Sequence, residues 1–237
     1  MFDAYTLRAR LAPVALAALP GLVLLGGGLI APQHGVSILA IAFAAVAIIA
    51  CGIVRDLGRH LQLRIWKSWG GSPTLQRLRW RDAKDPTVTE RLHRRLKEVT
   101  GEPLPSHDDE LADPAAADRR YDEAIAALRD LTRNRQEFPL VFEENASYGF
   151  RRNCLGIRPV ALLVAGLVLA LSVALLAVSH DAAEHHAGRF WAAAAVGALA
   201  LMGWWQLVTP SWVRSAAELY ADRLMESVET LRRRGAP

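Results

Sequence analysis

LAPVALAALPGLVLLGGGLIAPQHGVSILAIAFAAVAIIACGIV, residues 11–54, holds no Asp, Glu, Lys or Arg. A run of 44 uncharged residues is foreign to a soluble core. Apolar stretches of about 18 residues or more read as membrane-spanning helices. Pro32, Gln33, His34 and Gly35 divide the run in two, near 12–31 and 36–54. Two further charge-free runs lie between Arg158 and Asp181 and between Arg189 and Arg214, and place spans near 159–178 and 190–208. Each span is about 20 residues, which at about 1.5 Å rise per residue crosses roughly 30 Å of hydrocarbon.

The expected fold class is an all-α integral membrane protein with four transmembrane helices in two hairpins. A mostly helical cytosolic domain sits between the hairpins, and a C-terminal amphipathic helix follows. The boundaries are 1–54, 55–158, 159–208 and 209–237. The chain has 237 residues, 52% hydrophobic and 22% charged, and the uneven placement of those charges excludes a simple soluble globule. Two cysteines, Cys51 and Cys154, are too few for a disulfide scaffold. Arg8 and Arg10 precede the first span as they would a signal peptide. That span is longer than the roughly 7–15 apolar residues of a cleaved signal, so retention as an anchor is expected.

Lys and Arg set orientation, because cytoplasmic flanks retain them. The segment 55–158 holds 20 of them, the tail from 209 holds five, and the first loop holds none. With both termini cytoplasmic, 27 of the 28 basic residues fall on one side, Arg189 being the exception. The expected location is the plasma (inner) membrane of a bacterial-type cell. Both cysteines then face a reducing compartment and stay unpaired.

Within the spans Ser37, Ser172 and Gln206 are the polar side chains. Intramembrane ionisable groups mark proton and ion paths, and their absence from this sequence argues against a coupled transporter. No mid-span histidine offers a haem ligand, and no cofactor is expected. Small residues recur at four-residue spacing: Ala40 and Ala44, then Gly166, Ala170 and Ala174, then Ala193 and Gly197. Such faces allow close helix approach, within one bundle or in a homo-oligomer. Pro20 and Gly21, followed by Gly26, Gly27 and Gly28, read as a kink, either static or a gating hinge.

The cytosolic segment is rich in helix signals. Ser72-Pro73 reads as an N-cap with proline in the first turn. Thr87 with Glu90 reads as a capping box before a stripe of Val88, Leu92, Leu96 and Val99, and Gly101 ends that helix. Asp113-Pro114 starts another, with Ala117, Tyr121, Ala124, Leu128 and Leu131 at 4-3-4-3 spacing. The tail repeats the spacing with Ala217, Ala221, Leu224, Val228 and Leu231. The two stripes are expected to pack together, within or between subunits. Residues 55–100 carry 12 basic and 5 acidic side chains and residues 101–147 the reverse. The halves are expected to attract each other, with the basic parts facing anionic headgroups. A basic site for an anionic ligand is the other reading, and bulk nucleic-acid binding is not expected. Asp108, Asp109 and Glu110 read as a solvated polar loop.

Residues 137–158, EFPLVFEENASYGFRRNCLGIR, are the most distinctive. Pro139 suggests a broken extended piece, and Glu143, Glu144 and Asn145 a turn. Tyr148, Phe150, Arg151, Arg152 and Asn153 surround Gly149, which reads as a special backbone angle. Guanidinium groups beside aromatics suit a phosphate or carboxylate. Glu144, Asn145, Tyr148, Phe150, Arg151, Arg152 and Asn153 are therefore a candidate ligand or lipid-headgroup site, or else a juxtamembrane loop anchoring the third span. On the outer side His180, Glu184, His185 and His186, with Asp181, form the one metal-like group of residues, against the alternative of a solvated loop. Walker, GxGxxG, HExxH, GxSxG and CxxC motifs are absent from the sequence, and no enzyme activity is expected.

In outline, two hairpins flanking a helical cytosolic module resemble small membrane effectors of bacterial immunity. The resemblance implies anti-phage defence through a sensor that controls membrane integrity. The leading expectation is a non-enzymatic effector or channel-like protein. Its cytosolic domain senses a ligand, such as a nucleotide, or a partner, and its spans rearrange or oligomerise. The alternatives are a structural anchor that docks a soluble partner and a lipid-acting enzyme.

Overall fold

The structure, a computed structural model, describes residues 4–26, 35–178 and 187–235, with backbone alone for 26, 35–45, 47 and 234. Among the described residues it is all-helical, with no strand. A short α1 (Ala4–Thr6) and a π-helical turn (Leu7–Leu11) lead into α2 (Ala12–Gly26). Then come α3 (Gly35–Trp69), α4 (Pro73–Gln76), a 3₁₀ turn (Trp80–Asp82), α5 (Pro86–Thr100), α6 (His107–Ala112) and α7 (Pro114–Leu131). The chain ends with α8 (Pro139–Val178), α9 (Ala187–Gln206) and α10 (Pro210–Gly235).

Among the described residues, three helices are long and apolar enough to cross a membrane: Ala4–Leu25, α8 and α9. The expected span 36–54 lies inside α3, but most of its outer side chains fall outside the described residues. Gly27, Gly28 and the loop at Gln33 and His34 also fall outside them.

The chain divides into two compact units, one of Met1–Leu63 and Gly149–Val213, the other of Arg64–Tyr148 and Arg214–Pro237. The boundaries expected from the charge pattern, at 54/55, 158/159 and 208/209, lie nine, ten and five residues from these. The helices explain the offset, because α3 runs on beyond Val54, α8 begins well before Pro159, and each contributes to both units.

The first unit turns Leu163, Leu167, Leu171, Val173 and Leu199 outward, with Ile48, Ile49 and Ile53 of α3 also exposed. Large outward apolar surface of this kind suits hydrocarbon rather than water. Its helices meet at glycines. A Cβ on Gly197 of α9 would sit 3.3 Å from the Ala165 carbonyl and from Leu169 of α8. Ala193 and Gly197 are thus spent on packing within the chain, whereas Ala170 and Ala174 are exposed. On α8, Gly156 lies so close to α3 that a Cβ would be 2.9 Å from the Gly58 nitrogen and 3.0 Å from its Cα. Pro20 is fully buried inside α2, and a Cβ on Gly21 would meet nothing within 4 Å.

The second unit has one apolar core, built from Leu75, Leu78, Leu96, Tyr121, Ile125 and Leu128 with Leu224, Met225 and Val228. The α7 and α10 stripes therefore enter the same core. Leu231 packs at its edge, and Ala217 and Ala221 are buried, while Leu131 is 44% exposed. Ion pairs join the oppositely charged halves: Arg79 with Asp118 (2.7 Å) and Arg81 with Glu110 (2.9 Å) and Asp118 (2.8 Å).

Several local readings are corrected. Residues 139–158 are neither extended nor a loop, because α8 runs 40 residues without a break. Pro139 opens the helix, where a missing N–H costs nothing. Gly149 has an ordinary helical backbone, and among the described residues positive φ occurs at Gly70, Gly71 and Gly101. Its absent side chain matters for space instead, since a Cβ there would meet the Tyr5 hydroxyl at 2.7 Å and Ala9 Cβ at 3.1 Å. The α5 cap is Asp85, whose carboxylate accepts from the Thr87 N–H, with Pro86 in the first turn, in place of a Thr87–Glu90 box. Residues 107–112 are helical, capped by Ser106 and Asp109.

Candidate functional site

The second unit holds a buried polar centre around Glu110, which is 2% exposed. Being on α6, it projects back onto the 3₁₀ turn. Oε2 accepts from the Trp80 backbone N–H (2.9 Å) and the Tyr121 hydroxyl (2.7 Å). Oε1 accepts from the Arg81 backbone N–H (3.1 Å) and Arg81 Nη1 (2.9 Å). Burial pushes the Glu110 carboxyl up, but these four donors outweigh it and hold the group below its ordinary value. Asp118 follows the same balance, with Arg79 and Arg81 overcoming burial. Burial, then the bond to Glu110, pushes the Tyr121 phenol up, so it stays a donor.

His93 lies beside them, edge-on to Trp80 at 4.9 Å and tilted against Tyr121 at 5.5 Å. Its Nε2 is 2.7 Å from the Leu78 carbonyl. A carbonyl only accepts, so Nε2 carries the proton. Burial holds His93 below 6.5, against the opposing pull of the Leu78 bond and the Glu110 charge.

Every oxygen of Glu110 is committed to fixed donors, and Tyr121 is locked to it. This centre is a clamp holding residues 78–82 to α5, α6 and α7.

The sign of its pH dependence follows. His93, Glu110 and Asp118 are all depressed in the folded state. The stability they add is complete above their unfolded values and is lost as pH falls through the folded ones. The melting temperature of the second unit should hold from pH 8 to about 6.5, sag as His93 is forced to charge, and drop again below about 4.5. Thermal unfolding of the detergent-solubilised chain across that range checks this. A flat curve between about pH 6.5 and 5 would contradict a neutral, buried His93.

The first unit carries a second polar feature. Pro13 has no N–H to offer the Ala9 carbonyl four residues before it. Asn153 of α8, fully buried, donates Nδ2 to that carbonyl at 2.6 Å. Arg152 donates to Asn153 Oδ1 (3.3 and 3.2 Å) and to Gln62 Oε1 (2.6 Å). Further along α8, Arg158 donates to the Trp204 and Trp205 carbonyls, both at 3.0 Å, at the end of α9. Arginine here closes carbonyls that a helix C-terminus leaves open. Arg151 donates to the Trp212 carbonyl at 3.1 Å and stands over that ring.

The seven residues expected to form one ligand site are therefore dispersed. A helix turns about 100° per residue, and α8 distributes them around its axis. Glu144, Asn145 and Tyr148 belong to the second unit, where Tyr148 stacks on Tyr220 at 6.5 Å. Phe150, Arg151, Arg152 and Asn153 belong to the first, where Phe150 meets Trp212 edge-on at 6.0 Å. The pattern missed Glu110 and the pairing of Arg151 and Arg158 with the backbone of Trp204, Trp205 and Trp212. Glu110 looked like one of three solvated acids, and only its contacts 11 and 30 residues away distinguish it. His180, Glu184, His185 and His186 lie outside the described residues, and no metal-holding group occurs among those described. Cys51 and Cys154 are free and buried. No protein-family model, curated protein or solved structure matches the chain.

Proposed function

We propose that this chain is a non-enzymatic, four-span inner-membrane protein with both termini cytoplasmic, in which the helical unit of 64–148 and 214–237 controls how the spans pack and assemble. One observation carries the reading: α3 and α8 are unbroken helices of 35 and 40 residues, and each supplies residues to both compact units. At about 1.5 Å per residue, both outrun a roughly 30 Å hydrocarbon core. A change in the packing of the second unit thus has no loop in which to dissipate before it reaches the spans. The apolar stripes of α7 and α10 largely enter this chain's own core, which supports this reading over docking of a soluble partner through those faces.

Glu110→Gln, which keeps the shape of the clamp but weakens it, is expected to shift subunit number or dye leakage when the full chain is reconstituted in liposomes. A variant with a loosened second unit but wild-type assembly and leakage would overturn control of the spans and leave an anchor. Cysteine tags at Gln33 and Ala182 should label from outside intact cells. Labelling of either only after permeabilisation contradicts the topology.

A further inference from the structure

The first unit contains a groove of about 460 Å³ between α2, α8, α9 and the start of α10, within the range of roughly 300–1,000 Å³ usual for ligand sites. Its lining is apolar throughout, including Leu16, Leu19, Phe150, Leu199, Leu207 and Trp212. Leu16, Leu19, Leu199 and Leu207 are each more than two-fifths exposed, so the groove opens sideways.

Arg151 and Arg158 stand on α8, flanking Cys154 of the groove wall, seven residues and hence about 10.5 Å apart along the axis. Their guanidinium groups lie over Trp212 and Trp205, at 5.1 and 5.3 Å from the ring centroids. Their hydrogen bonds go to the backbone carbonyls of Trp212, Trp204 and Trp205. Carbonyls satisfy donors but leave the charge uncompensated, and among the described residues no carboxylate pairs with either arginine. An uncompensated cation beside hydrocarbon is costly. Tryptophans at this level mark the headgroup zone, and basic pockets at helix ends suit anionic headgroups.

We propose that this groove is a specific site for an anionic phospholipid, one acyl chain lying along the apolar wall and the phosphate between Arg151 and Arg158. The site needs only that the apolar helices lie in a bilayer, whatever the second unit does. Gly203 gives a clean test. It lines the groove, and a Cβ there meets nothing within 4 Å, so the side chain of Gly203→Leu starts in open space and takes up groove volume.

Native mass spectrometry of the full chain, titrated with phosphatidylglycerol, phosphatidylcholine or inorganic phosphate, reads the outcome. Phosphatidylglycerol should be retained about tenfold more tightly than phosphatidylcholine. Gly203→Leu should weaken that retention about tenfold at an unchanged melting temperature, and Arg151→Gln should erase the headgroup preference. Equal retention of the two lipids overturns the proposal. So does an unaffected Gly203→Leu, which reduces the effect to surface charge, or displacement of the lipid by inorganic phosphate at equal concentration.

Discussion

Gly156→Leu is expected to drive α3 and α8 apart and to cost about 3 kcal/mol or more. The first added atom alone would lie 2.9 Å from the Gly58 nitrogen, 3.0 Å from its Cα and 3.1 Å from the Leu57 carbonyl carbon. All three are backbone atoms, so no rotamer change relieves the clash. Overpacking typically costs about 1–3 kcal/mol where side chains can yield, and here they cannot. The opposing gain in helix propensity on replacing glycine is only about 1 kcal/mol. Gly58→Leu meets the same fate from the other side, because its Cβ would run into the Asn153 amide, which is already bound to the Ala9 carbonyl. Gly52→Ala on α3 is the control, since its Cβ meets nothing within 4 Å. Thermal unfolding in detergent should place Gly156→Leu far below wild type and Gly52→Ala at or slightly above it. If the two variants melted together, the close crossing would be wrong.

Glu110→Ala should be the most damaging single change in the second unit, at about 3–5 kcal/mol. It strands the Trp80 and Arg81 backbone N–H groups and the hydroxyl of Tyr121, a residue with no exposed surface. A buried donor left without an acceptor costs about 1–3 kcal/mol, and breaking one side of a buried ion pair about 3–5. Arg81 is 35% exposed and regains water, so the loss is dominated by the fixed donors. Asp108→Ala, two residues away with its side chain 98% exposed, should leave stability unchanged. Hydrogen exchange over residues 78–82, 93 and 121 distinguishes a local release of the clamp from global loosening. Protection there equal to wild type in Glu110→Ala would remove Glu110 from the account.

The contrast between these two acids shows how far a linear reading reaches. Asp108 and Glu110 have similar neighbours in sequence, and both looked solvated. One is solvated, and the other is the acceptor for four donors. The stretch 139–158 shows the same limit from the other direction. Its Pro, Gly and Asn punctuation suggested a loop, yet each breaker has a place in a helix. Pro139 sits in the first turn, Gly149 opposite Tyr5 and Ala9, and Asn153 against the carbonyl that Pro13 leaves open. Ser72, Asp113 and Gly101 were legible because a cap acts within four residues of itself: Ser72 accepts from the Leu75 N–H and Asp113 from those of Ala115 and Ala116.

The helical class, the apolar runs and the clustering of basic residues in the segments between them follow from the chain read in order. Transfer of a segment into hydrocarbon depends on that segment's own side chains and very little on its partners. Tertiary structure alone decided that Glu110 is a clamp, that Gly58 and Gly156 are contact points, and that Arg151 and Arg158 border an apolar groove. Each of these depends on atoms brought together from tens of residues away, Ala9 with Asn153 being 144 apart. Burial and pairing are properties of the assembled neighbourhood, and residue type and spacing along a single segment do not contain them.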